Sequence, residues 1–362
     1  MLVPACYLHQ VIAPILGVRH DNETLRLTYE SDIAALPLDS DARARLAQFV
    51  RFQLIGERAR RSVVPDWSLL GDFASRADLY EAGAEQALDL LAAEIGPSAR
   101  NAGFVYDALV TTTSTGGLMP GLSYRLAHRL GDRVAPGAAL VDLAHAGCTG
   151  SLKALQVARH LLPSFPRVLL AAVELPTVML DSASADHDVW QGNCTFGDGC
   201  VAVHLSTNVN DSPAPLLLEQ LQGRTFTADT LDLIHWQHRT YYTFRLRDES
   251  TFDGAVRQCV VETLNEFATE WRQTPRWVVH PAGIALLVRL SRKLGISSEA
   301  LRSTVAHYRE YSNQSSVSLY QILAAEREAT PVGQAINLLS MGAGFEVYYG
   351  RVRRCAPEIP AP

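Results

Sequence analysis

Residues 138–162 read AALVDLAHAGCTGSLKALQVARHLL. An apolar run, a Gly-Cys corner and a stripe of Leu152, Leu155, Ala158 and Leu161/Leu162 predict a strand, a tight turn and a helix in succession. Cys148 then stands at a helix N-terminus, where unpaired N–H groups and the positive end of the dipole favour a thiolate. Gly147 and Gly150 leave room for a substrate carbonyl to approach backbone donors. Taken alone, such a cysteine is equally well a small hydrophobe packed in a turn.

Working outward, the surroundings repeat. FVYDALVTTT (104–113) predicts a strand that runs into TTTSTGGLMPG and the helix LSYRLAHRLG; RVLLAAV (167–173) predicts another strand, and FGDGCVAVHL (196–205) a glycine turn leading into a strand. Further on, the strand RWVVH (276–280) ends in HPAG, followed by the helix IALLVRLSRKLG; YSNQSS (311–316) leads into the helix VSLYQILAAERE, and MGAGFEVYYG (341–350) supplies a second glycine turn. Order, turn chemistry and helix lengths agree between the two series. They predict an α/β fold of two duplicated halves, 1–209 and 210–362, divided at the turn-rich NVNDSPAP (208–215). In this register Cys148 and Asn313 take equivalent places beside helix N-termini, and His280 takes the place of Met119-Pro120-Gly121. A lone buried histidine is usually a core residue and a lone asparagine usually a helix cap, but here three polar groups converge near one pseudo-twofold axis. Residues 40–62 read as one helix carrying Arg43, Arg45, Arg51, Arg58, Arg60 and Arg61, and residues 79–95 as another.

Composition narrows the function class. With 362 residues, 48% hydrophobic and 19% charged, the chain can bury a large core and is not disordered. A net charge of −6 argues against a basic nucleic-acid face. No apolar run approaches the ~20 residues of a membrane span. MLVPACYLHQVIAPILG has no basic residue ahead of its apolar stretch, so no signal peptide is expected and the expected location is the cytoplasm. The six cysteines form no CxxC pair, so neither a zinc site nor a disulfide framework is expected. His235 and His238 lack a third ligand nearby and read as packed or solvated; Asp198 reads as a turn residue under the site.

HAGCTGSLKALQVA, FGDGCVAV, WVVHPAG, YSNQSS and MGAGF together resemble the condensing enzymes of the thiolase superfamily, and TTTSTGGLMPGLSYRLAHRLG resembles more narrowly the type III, chalcone-synthase-like polyketide synthases. The resemblance runs from about residue 104 to 353. It implies a five-layered αβαβα fold, a homodimer and a Cys-His-Asn centre with no cofactor, the substrates being acyl and malonyl thioesters of CoA or of an acyl carrier protein. Cys148 matches the nucleophile that takes the acyl group. His280 matches the histidine that holds the thiolate and, with Asn313, stabilises the oxyanion formed when a malonyl thioester loses carbon dioxide. Met119 matches a residue reaching into the partner's cavity, and Phe244 a gate between CoA tunnel and acyl pocket. Ser114, Leu180 and Phe196 complete the expected substrate contacts, with Arg51, Arg58 and Arg61 as candidate cations for CoA or carrier. The implied chemistry suits the residue types: acyl transfer between thioesters needs a thiolate, and two donors on an enolate oxygen need no carboxylate base because decarboxylation makes the carbanion.

Departures from the pattern accompany it. The segment between Glu174 and Phe196 is shortened, with Leu180 and its neighbours where a second gating phenylalanine is expected, so Phe244 reads as a single gate beside a mouth widened by Leu180, Ser182 and Ala183. Ser312 stands where a glycine is usual, and Ala282 replaces one glycine of the corner after His280. A wide pocket implies a medium or long aliphatic or β-ketoacyl starter, few extensions and an α-pyrone-like product. The alternatives are a single-condensation ketoacyl-ACP synthase, a ketosynthase joining two preformed acyl thioesters, or a non-catalytic partner subunit. A papain-like hydrolase shares the Cys…His…Asn order, with His280 lying 132 residues after Cys148, but CGSCW-like residues are missing.

Overall fold

The computed structural model describes residues 4–101, 103–247, 249–267 and 271–356. The first half comprises β1 (Tyr7–Ile12), β2 (Val18–Asp21), α1 (Asn22–Ala35), α2 (Ser40–Gln53), β3 (Ala59–Ser62), α3 (Phe73–Asn101), β4 (Tyr106–Thr113), α4 (Leu122–Leu130), β5 (Val134–Ala144), α5 (Gly150–Leu161), β6 (Arg167–Glu174), α6 (His187–Thr195) and β7 (Gly199–Ser206). The second comprises β8 (Leu216–Thr225), β9 (Ile234–His238), β10 (Tyr242–Leu246), α7 (Glu249–Phe267), β11 (Trp277–Val279), α8 (Ile284–Leu294), α9 (Arg302–Tyr311), α10 (Ser318–Ala329), β12 (Ala335–Gly342) and β13 (Glu346–Arg354).

The strand order makes the duplication visible. One sheet runs β5-β4-β6-β7-β1, then β8-β13-β12-β11. In the first five, β4 pairs parallel with both β5 and β6, while β6–β7 and β7–β1 are antiparallel. In the last four, β11–β12 is parallel and β12–β13 and β13–β8 are antiparallel. Among the described residues the half-sheets pair where Tyr7 and Leu8 meet Leu217 and Leu216. The sequence division at 209/210 falls between β7 and β8. Among the described residues the second half has no counterpart of β5, and α9 occupies the interval between α8 and α10.

Alternation along buried strands builds the layers, because successive side chains point to opposite faces. Val168, Leu170 and Ala172 of β6 pack with Leu152 and Leu155 of α5 and with Leu319, Ile322 and Leu323 of α10. Leu169, Ala171 and Val173 pack the other way, against Leu88 and Leu91 of α3 and Leu126 of α4. In the second half Leu338 faces the central helices, while Leu339 and Met341 face Val260 of α7 and Leu287 of α8. The result is helix, sheet, helix pair, sheet, helix, the five-layered αβαβα arrangement of the thiolase-like fold.

The single helix expected over 40–62 is two elements. α2 stops at Gln53, Gly56 takes φ +83°, and Arg60 pairs with His20 in a β2–β3 ribbon. Strand alternation then sends Arg60 into the interior, 1% exposed, and turns Arg61 outward. Among the described residues no helix is long and apolar enough to cross a membrane.

Candidate active site

The corner at Cys148 is shaped by backbone before side chains. His145 and Gly147 both have positive φ, +57° and +59°, so the chain leaves β5 sharply, makes a 3-10 turn over Gly147–Thr149 and enters α5. Ser114, at the end of β4, accepts the Gly147 N–H at 2.7 Å. Ser340 of β12 donates to the Cys148 carbonyl at 2.9 Å. Gly342 passes so close that a Cβ there would sit 3.0 Å from Thr149 N and 3.3 Å from Cys148 N. The nucleophile corner of one half is therefore seated on a strand of the other.

Asn313 approaches from the second half on a knot fixed at every backbone group. Its N–H donates to the Thr195 carbonyl and its carbonyl accepts from Gly197, each at 3.0 Å. Its Oδ1 accepts the Ser315 N–H at 2.8 Å, which leaves the Nδ2 end of the amide turned to the thiol. Burial pushes the Cys148 thiol up to about 12, hydrogen bonds from Ser315 and Asn313 pull it back, and the Glu174 carboxylate pushes it further up. These surroundings favour the neutral thiol, whereas helix position alone predicts a thiolate.

Glu174 and Ser315 are residues the sequence reading missed. Glu174 is fully buried and accepts from Ser114 N–H at 2.9 Å, Ser316 Oγ at 2.5 Å and Ser315 Oγ at 3.2 Å. Burial raises its carboxyl to about 7. The available signal is the lone acid closing the apolar run RVLLAAVE. Asp198 accepts from the backbone of Val63 at 2.7 Å and of Thr177 at 2.9 Å, tying three segments beneath the site.

His280 ends β11 and donates its N–H to the Leu339 carbonyl at 2.8 Å. Its ring is 1% exposed, and neither ring nitrogen has a hydrogen-bond partner. Burial pushes it down to about 3, so the imidazole is neutral. Ala282 and Gly283, which follow it in the chain, line the cavity; His280 itself is not among the lining residues. No hydrogen bond joins it to Cys148 among the described residues; the thiol's partners are Asn313 and Ser315.

A cavity of about 1500 Å³ opens above Cys148 and Asn313. Ser114, Leu180, Phe196, Phe244 and Arg58 line it; Met119, Arg51 and Arg61 do not. Met119 is 96% exposed, at the surface before α4. Arg51 is drawn to Glu30 of α1 at 2.7 Å, and Arg61 faces a separate recess because of the β3 alternation. Arg58 stacks over Tyr308 at 4.9 Å; with Arg309 it is a cavity-lining cation with no carboxylate partner among the described residues. Phe244 does not stand alone at the cavity wall. The Phe196 ring meets it edge-on at 5.0 Å and 76°, so the second phenylalanine comes from the start of the FGDG turn. Leu180 lines the wall, its carbonyl held by buried Arg76, but Ser182 and Ala183 are exposed and do not contribute to the cavity. The volume comes instead from Phe49, Phe52 and Ile55 around the end of α2 and from Trp236 of β9. No group of three or more His, Cys, Asp or Glu side chains among the described residues is placed to hold a metal ion.

This arrangement aligns with solved structures over nearly its whole length. The chain superposes on 1,3,6,8-tetrahydroxynaphthalene synthase from Streptomyces coelicolor A3(2), a bacterial type III polyketide synthase, with a TM-score of 0.83 at 19% identity, covering 97% of this chain and 99% of that one. The C-terminal type III polyketide synthase domain of Steely1 from Dictyostelium matches at 0.82 and 17% identity, over 97% and 100%. The fold is that of the type III polyketide synthases. A fungal member, ORAS, matches at 0.81 and 19% identity, over 96% and 99%. Residues 242–347, from β10 to the start of β13, also match the chalcone and stilbene synthase C-terminal domain. That span carries Phe244, His280 and Asn313, in keeping with the type III polyketide synthase resemblance of the sequence.

Proposed function

We propose that the protein is a type III polyketide synthase-like condensing enzyme that loads an acyl group on Cys148 and extends it with a malonyl thioester. The carrying observation is the thiol on the floor of a large, mainly apolar cavity, faced by an Asn313 amide whose other end is locked. In loading, the thiol proton passes to the neutral imidazole of His280, the thiolate adds to the acyl-CoA carbonyl, and CoA leaves as the thiol after taking the proton back. In extension, malonyl-CoA loses carbon dioxide; its enolate oxygen is held by donors from Asn313 and His280, and the carbanion attacks the acyl carbon, releasing the Cys148 thiolate. One such donor is typically worth ~3 kcal/mol in the transition state.

The substrate carrier is CoA in this reading. Arg58 and Arg309 carry charge without a carboxylate partner at the cavity wall, and the similar protein CsyB has been crystallised with CoA-SH. The starter is a medium or long aliphatic or β-ketoacyl chain, supported by the volume near 1500 Å³ and by exposed Phe52 and Ile55 along the wall; few extensions and an α-pyrone-like product follow. A homodimer is supported by two features of one surface. Met119 projects almost wholly into solvent, and β5, paired with β4 on one side, ends the sheet as an eleven-residue edge strand with no strand on its other side among the described residues, the kind of edge another copy covers.

The test is intact-protein mass spectrometry after incubation with acyl-CoAs from two to sixteen carbons. An adduct is expected on the wild type and none on Cys148→Ala. Loading and turnover with malonyl-CoA are expected to peak at eight carbons or more. An adduct persisting in the variant overturns the nucleophile; a peak at acetyl-CoA with a steep fall beyond six carbons overturns the long starter.

A further inference from the structure

The knot carrying Asn313 is strained on both sides. Ser312 has φ +59° and Ser315 has φ +50°, values a side-chain-bearing residue keeps only where its surroundings over-determine it. Toward the first half the restraints are those from Thr195, Gly197 and Glu174. Away from Cys148, a buried pair from α9 and α10 supplies another. Ser318, the first residue of α10, accepts the Gln314 N–H on its Oγ at 2.9 Å, and the same Oγ lies 3.1 Å from His307 Nε2. Ser318 is fully buried and His307 is 7% exposed.

Ser318 Oγ already receives the Gln314 N–H, and the acceptor within reach of its own proton is His307 Nε2. With the Ser318 hydroxyl as donor to Nε2, His307 carries its proton on Nδ1. Burial, with the neighbouring His280, keeps it neutral. One turn earlier on α9, Thr304 Oγ1 accepts the Val279 N–H at 3.2 Å, so the same helix also grips the strand that ends at His280.

We propose that His307 and Ser318 are positioning residues for the chemistry at Cys148: the relay from Gln314 N–H through the Ser318 hydroxyl to His307 Nε2 holds the strained turn that aims the Asn313 amide. Neither side chain lines the large cavity; His307 borders the separate recess beside Arg61. The proposal rests on the condensing-enzyme reading.

The full-length chain is tested as Ser318→Ala, His307→Leu and His307→Gln. Ser318→Ala and His307→Leu are expected to lower kcat for malonyl-CoA decarboxylation about tenfold to a hundredfold, with KM and the rate of Cys148 alkylation changed less than about twofold. His307→Gln, whose side-chain oxygen can accept the hydroxyl, is expected to recover most of the loss. The Ser318→Ala/His307→Leu double variant should be no worse than the poorer single. Nitrogen-15 NMR of labelled histidine should report His307 as the Nδ1–H tautomer, and hydrogen exchange should show the Gln314 amide losing protection in Ser318→Ala. An Nε2–H tautomer, unchanged kcat in both variants, or equal losses in alkylation and decarboxylation that His307→Gln does not recover would overturn the proposal. A wild type that neither loads acyl-CoA nor decarboxylates malonyl-CoA would sink the condensing-enzyme reading instead, and the tautomer and exchange measurements would still decide whether the relay exists.

Discussion

Phe244 owes its place to a missing side chain. A Cβ on Gly192 of α6 would come 2.8 Å from Phe244 Cδ1, closer than side-chain carbons approach. The phenylalanine pair at the cavity wall therefore depends on a helix glycine one turn before Phe196. Gly192→Ala is expected to push the Phe244 ring across the passage and to lower kcat/KM about tenfold for long acyl-CoAs while sparing acetyl-CoA; Gly192→Ala/Phe244→Ala should restore the long substrates. Steady-state kinetics across chain lengths check this. Cys148, His280 and Asn313 were legible in the sequence because each is a chemically distinctive residue at the end of an element, flanked by glycine, proline or serine. Glu174 and Ser315 were not. A carboxylate that works by accepting three or four hydrogen bonds carries no spacing signature, and a serine at positive φ looks like any turn serine. Arg51 and Arg61 were misplaced for another reason: where α2 stops and β3 starts decides which arginines face the cavity, and Gly56 was the only local mark of that break.

Among the elements, β5 is the one whose surroundings look incomplete. Its residues are mostly half-exposed, although eight of its eleven are Val, Ala or Leu. A lysine on such an edge resists pairing with another strand. Gly137 is exposed, and a Cβ there meets nothing within 4 Å, so Gly137→Lys leaves the protomer's packing intact. Sedimentation is expected to show the wild type at twice its 39.6 kDa and the variant shifted toward the single chain, with circular dichroism unchanged. A wild type that sediments as a single chain at micromolar concentration would contradict the dimer. The strands β4, β6 and β11 and the helices α4, α5, α8 and α10 were legible from periodicity, since buried parallel strands are continuous apolar runs. The loss of a β5 counterpart in the second half was not, because α9 fills that interval with a pattern as amphipathic as its neighbours.

At the scale of the whole molecule, buried titratable groups set how stability follows pH. Burial lowers His9 and His204 to about 4 and His280 and His307 to about 3, from 6.5. Depressed groups of this kind contribute stability that is present above 6.5 and lost as pH falls below it, because unfolding takes up protons. Burial also raises Glu174 to about 7 from 4.5 and Asp198 to about 6 from 3.8. Raised acids contribute stability present below their unfolded values and lost as pH rises through 6 to 7. Between pH 5 and 6 four histidine protons are gained on unfolding against two carboxyl protons released, so stability should climb with pH by about 3 kcal/mol per unit. Calorimetry at pH 5 and 6.5 should show a clearly higher Tm at 6.5, and a flatter rise for His204→Gln; a Tm that falls over this interval contradicts the assignment.

With α9 in the place of a strand, the two ends of the sheet are unlike. At the far end of the sheet, the outward N–H of Val279 in β11 is already taken by Thr304, and β11 is only three residues long. The molecule thus offers one adhesive margin and one sealed margin. Two copies that meet through β5 use up the adhesive margin of both, and the sealed margins cannot recruit a third. For the proposed dimer, the same helix that carries His307 thus opposes growth into filaments, the usual hazard of a sheet with two open borders, and the asymmetry between the duplicated halves would make that assembly self-terminating.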